Sequence, residues 1–122
     1  MFHKRFNEVS AFIAGDKTII KELLHPKNDA DVSDSNYSLA YAEVLIGEAS
    51  LPHILHQSSE LYYILQGEGL LFIDEESVLL EKNDFALVPK GANQWIKNTG
   101  NQALQFLVIV SPPWNEGQEE VF

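Results

Sequence analysis

The chain contains no cysteine, which excludes disulfides, thiolate metal ligands, thiol nucleophiles and cysteine-derived crosslinks. It also lacks any apolar run approaching the roughly 18 residues of a membrane span. The opening stretch MFHKRFNEVSAF is basic but has no apolar core of the kind a secretion signal needs. Positive charge is scarce: 8 Lys and Arg stand against 18 Asp and Glu, for a formal net charge of −10. So acidic a chain repels phosphate backbones and anionic lipid before contact, so neither nucleic acid nor a membrane is an expected partner. No G-x-S-x-G occurs, and with no thiol either, a hydrolytic triad is not signalled. The cytoplasm is the default location.

What is present points to one ordinary globular domain. The 122 residues are 45% hydrophobic and include 7 Phe, 4 Tyr and 2 Trp, enough for a real core that removes roughly 65–70% of the unfolded chain's surface from water. Much of the acidity falls in apparent loops and the C-terminal end: Asp29, Asp31 and Asp34, then Asp74, Glu75 and Glu76, then Glu116, Glu119 and Glu120. All three groups read as solvated segments that aid solubility.

Short apolar runs alternate with turn-formers and helical periodicity is scarce, which predicts an all-β sandwich or barrel. Residues 37–46, YSLAYAEVLI, carry apolar side chains on both faces, as in a strand packed on two sides. Further strands are predicted at Leu61–Gln66, Leu70–Ile73, Val78–Leu80, Phe85–Val88, Trp95–Lys97 and Ala103–Val110. The segment Thr18–His25 fits a helical stripe, but its β-branched start favours a strand. Pro26–Asn36 is polar and reads as an exposed loop.

The stretch from Gly47 to Gly69 contains PHILHQSSELYYILQGEG, and its residues 47–67 resemble the first motif of the cupin superfamily, G-x5-H-x-H-x3-4-E-x6-G. Gly47, His53, Glu60 and Gly67 stand in register. Leu55 takes the second-histidine position, with His56 one residue out of register. NDFALVPKGANQWIKN resembles the second motif, G-x5-P-x-G-x2-H-x3-N: Pro89, Gly91 and Asn98 match, Asn83 replaces the first glycine, and Gln94 replaces the histidine. Asn tolerates positive φ better than most residues, so the change at Asn83 is mild.

The resemblance spans about residues 37–111 and implies a double-stranded β-helix, the jelly-roll barrel, within a single domain of residues 1–122. Residues 1–36 then form an N-terminal strand and loop, and residues 112–122 a tail. The ending SPPWNEGQEE is similar to that of small single-domain cupins labelled as related to mannose-6-phosphate isomerase. The family resemblance also implies a homodimer formed through outer sheet faces and exchanged N-terminal strands.

Cupin chemistry converges imidazoles and a carboxylate on a divalent ion inside the barrel. Nitrogen and oxygen donors without sulfur suit Fe(II), Mn(II), Ni(II), Zn(II) or Cu(II). The candidate ligands are His53, His56, Glu60 and Gln94. Strand parity turns His56 away from His53 unless the turn at Gln57-Ser58-Ser59 begins between them; otherwise His56 is a solvent-exposed turn histidine. Gln94 either supplies a neutral amide oxygen or is a polar residue of the barrel mouth that contacts no ion.

Two functions remain open. In the first, the barrel binds a divalent metal and a small polar or sugar-like ligand, with isomerase, lyase or dioxygenase chemistry. In the second, a non-enzymatic, metal-free cupin binds a small molecule; the two missing histidines favour this reading. Gly67-Glu68-Gly69 reads as a tight strand connection, since no helix follows to accept a phosphate. Tyr62, Phe72, Trp95 and Trp114 line either the pocket or the core, and His3 and His25 are expected on the surface.

Overall fold

In the computed structural model, which describes residues 1–122, the alternating runs become eleven antiparallel strands. They are β1 (Phe12–Ile13), β2 (Ile19–Leu24), β3 (Ser38–Val44), β4 (His53–Leu55), β5 (Ser59–Gln66), β6 (Gly69–Ile73), β7 (Glu76–Leu80), β8 (Phe85–Val88), β9 (Asn93–Asn98), β10 (Leu104–Ser111) and β11 (Glu119–Val121). Their spatial order is β1-β2-β3-β10-β5-β8 in one sheet and β11-β4-β9-β6-β7 in the other. The architecture is the all-β jelly roll expected from the sequence. No helix is long and apolar enough to cross a membrane.

The inward residues of the two sheets build one core, in which Ile64, Leu71, Leu104 and Val88 are fully buried. Tyr62 stacks on Phe106 with ring centroids 5.4 Å apart. β3 is packed on both sides: Ala42 and Val44 face the core, while Tyr41 on the outer face meets the edge of Phe6 at 4.8 Å. Thr18–His25 contains β2, a strand as expected, paired with β3.

The motif residues other than the ligand candidates shape the backbone. Asn83 adopts φ 72°, so an asparagine does fill the left-handed position of the expected glycine. Gly67 adopts φ 82°, and a Cβ there would stand 3.0 Å from the Ala103 carbonyl oxygen. Asn98 donates to the carbonyls of Val44 and Gln102 and accepts from the Gly100 N–H, which ties three turns at the closed end of the barrel.

Two short elements were not legible in the sequence: β1 and β4 have two and three residues. A third difference concerns the end of the chain. Residues 112–122, read as a tail, return to the barrel, and β11 pairs with β4 in the register Glu119↔Leu55, Glu120↔Ile54 and Val121↔His53. Gln118 secures this return. Its side chain accepts from the Gln57 N–H and donates to Ser58 Oγ, and its carbonyl accepts from the His56 N–H.

Candidate functional site

Apolar side chains fill one end of the barrel, and the other end opens into a cavity of about 240 Å³. The first residues of β3, β4 and β5 and the last of β10 meet there, so the alternation that buries Val44, Leu55 and Ile64 also brings His53 and Glu60 inward. The two residues in register with the first motif therefore both face the cavity. Both are buried, His53 at 3% and Glu60 at 8% exposure.

His53 donates from Nδ1 to the Leu51 carbonyl at 2.8 Å, which fixes the ring and aims Nε2 into the cavity. Nε2 faces Glu60 Oε1 across 4.0 Å, an ion-pair distance beyond hydrogen-bond reach. Asp16 Oδ2 lies 3.8 Å from Nδ1. Burial alone would depress the His53 pKa, but the Glu60 carboxylate, Asp16 and the Leu51 carbonyl outweigh it and push the pKa up to about 9. The ring is therefore an imidazolium at neutral pH.

Asp16 reaches the site from the turn between β1 and β2. Its Oδ1 accepts from the Thr18 N–H and hydroxyl, and its carbonyl accepts from the Leu51 N–H, so the turn is fastened to the lead into β4. Glu119 enters from β11, opposite Leu55, so a carboxylate from the neighbouring strand flanks the position where the motif expects a histidine. Burial raises the Glu119 pKa, partly offset by the Trp114 indole N–H that donates to Oε2 and by the charge of His53. Burial, with the nearby carboxylates, also holds the Tyr62 phenol well above its ordinary pKa.

The other two ligand candidates lie elsewhere. His56 follows the strand parity to the outside, where Nε2 sits 2.9 Å from Glu120 Oε1 and both side chains are half-exposed. β4 ends at Leu55 and the chain bends at His56 and Gln57, yet the His56 side chain still faces out. Gln94 is buried beside His53 in the β4–β9 register, but its Oε1 is occupied by the Tyr62 hydroxyl and it does not line the cavity.

Several site residues were misread. His25, expected on the surface, is buried against the cavity: Nδ1 accepts from the Lys27 N–H and Nε2 donates to the Trp114 carbonyl at 2.6 Å. Glu119, read as a solvated tail residue, is a wall of the site. Of the four aromatics left open, Tyr62 belongs to the core and Trp114 to the cavity rim, while Phe72 and Trp95 stack 3.9 Å apart on the opposite face of their strands from Leu71 and Ile96. His3 is exposed, as expected.

The sequence matches the family model of the Cupin domain over residues 40–110. The chain belongs to the cupin family. An uncharacterised protein of Methanocaldococcus jannaschii is 35% identical over 116 residues, covering 95% of this chain and 90% of that protein. Two solved structures have the same fold. One, from Thermotoga maritima and described as a predicted oxalate decarboxylase, has a TM-score of 0.79 at 22% identity, over 91% of this chain and 99% of that one. The other, Streptomyces Pac13 with uridine, has a TM-score of 0.77 at 15% identity, over 100% and 91%.

Against the family's metal chemistry, this cupin has a poor donor set. The second-histidine position is Leu55, packed in the barrel interior. His56 points away, the Gln94 oxygen accepts from Tyr62, and of the candidate ligands only His53 and Glu60 line the cavity. No cluster of three or more His, Asp or Glu is arranged to hold an ion. The residues present do not fit a resident divalent metal.

Proposed function

We propose that this cupin binds a small hydroxylated molecule at the open end of its barrel without a metal. The single observation that carries the reading is the His53–Glu60 pair: a donor and an acceptor, both buried and lining the cavity, 4.0 Å apart. A hydroxyl oxygen roughly 2.8 Å from each fits that gap, accepting from Nε2–H and donating to the carboxylate. Charge-assisted hydrogen bonds of this kind are the strong ones. The cavity holds about eight waters' worth of liquid volume, the scale of a monosaccharide.

The same pair is equipped for acid–base chemistry, with Glu60 able to accept a proton and His53 Nε2 to give one. This favours isomerase or lyase chemistry over O₂ activation, for which no donor set is assembled. The SPPW ending is consistent with the mannose-6-phosphate isomerase-like group of small cupins. A homodimer formed through an outer sheet face belongs to the same proposal.

A panel of neutral sugars and polyols, screened by thermal shift and calorimetry in the presence of EDTA, tests the reading. Saturable binding that survives EDTA and is lost in His53→Ala and Glu60→Gln is expected. Binding that needs an added divalent ion would overturn it.

A further inference from the structure

The cavity's charge selects among hydroxylated ligands. Four carboxylates line it, those of Asp16, Glu22, Glu60 and Glu119, and no lysine or arginine does. His53 is the basic side chain facing Glu60 and Asp16, while both ring nitrogens of His25 are engaged, Nδ1 with the Lys27 N–H and Nε2 with the Trp114 carbonyl. Glu60 is a buried acceptor on the cavity wall, and its nearest partner, His53 Nε2, lies at 4.0 Å, an ion-pair distance beyond hydrogen-bond reach. The ion pair leaves its oxygens free to accept hydrogen bonds from a ligand.

An anion entering this enclosure would lose its hydration beside several carboxylates, whereas a cation would gain from each of them. The rim adds aromatic faces, Phe12 and Trp114, which attract organic cations. The chain's net charge of −10 draws the same class of ligand from solution.

From this arrangement, and resting on the hydroxyl-binding reading above, we infer that the ligand is an organic cation carrying a hydroxyl, an amino alcohol in class. Its hydroxyl bridges His53 and Glu60, and its ammonium lies toward Asp16, Glu119 and the aromatic rim. Small dicarboxylates and sugar phosphates are disfavoured by the same charges.

Calorimetry on the full chain in EDTA, at low ionic strength, tests the inference with four probes. Choline and ethanolamine are the cations, neohexyl alcohol is the uncharged isostere of choline, and lactate is a hydroxylated anion. The cations are expected to bind at least about tenfold more tightly than neohexyl alcohol, with no heat from lactate. Glu119→Gln narrows that preference several-fold, and the exposed control Glu76→Gln does not; circular dichroism verifies that both are folded. Equal affinity for choline and neohexyl alcohol overturns the charge selection while leaving the hydroxyl site in place. Failure of both cations to bind overturns it as well, and the neutral sugar panel then decides separately whether the hydroxyl site stands.

Discussion

His53 links the site to the stability of the barrel. Its pKa is about 9 in the folded protein against an ordinary 6.5, so the folded state holds that proton more tightly than the unfolded chain does. The resulting stabilisation is fully present below pH 6.5 and is lost as pH rises through 9. It amounts to about 3 kcal/mol. Urea unfolding across this window is expected to show the loss in the wild type and a much flatter profile in His53→Gln. At the scale of single residues, the sequence carried much of the site. Motif spacing marked His53 and Glu60 as inward-facing, while strand parity left the orientation of His56 open and the structure turns it outward. His25 and Asp16 were not legible, because a histidine or aspartate in a connecting segment has no periodicity to show which way it faces.

Among the elements, β11 contributes most to the site for its size, because three residues bring Glu119 to the cavity and close the sheet beside β4. Gln118 holds it there through side-chain bonds to Gln57 and Ser58. Gln118→Ala removes both of these bonds, leaving Ser58 Oγ only the Pro112 carbonyl, and a loss of about 1–3 kcal/mol is expected in chemical denaturation. Hydrogen exchange at Glu119–Val121 should accelerate more than exchange in the β10 ladder. The longer strands from β5 to β10 were legible because each alternates over several residues between turn-formers, and their ends shifted by only a few residues. β1, β4 and β11 were not, since two or three residues cannot display a period and their pairing depends on partners distant in sequence.

For the whole molecule, the jelly roll leaves one sheet face unusually apolar. Phe85 and Leu87 on β8 are 67% and 59% exposed and lie beside Tyr63 and Leu61 on β5, with the Tyr63 and Phe85 rings stacked. Apolar patches of this kind mark association surfaces. Light scattering at micromolar concentration is expected to show a dimer, and Phe85→Glu with Leu87→Glu should yield a folded monomer; a monomeric wild type would contradict the interface. The fold itself was legible through the two motifs, whose positive-φ and small residues constrain the backbone whatever occupies the site. The site's chemistry was less so, because the histidine positions are where this cupin departs from the pattern.

That departure is where the account is most directly tested. The ¹⁵N resonances of the His53 ring at pH 7, recorded before and after adding one equivalent of Zn(II) or Mn(II), report its protonation and any coordination. Two protonated nitrogens, unmoved by either ion, are predicted by the His53–Glu60 pair. An unprotonated Nε2 whose resonance shifts or broadens stoichiometrically with the ion would contradict a metal-free site.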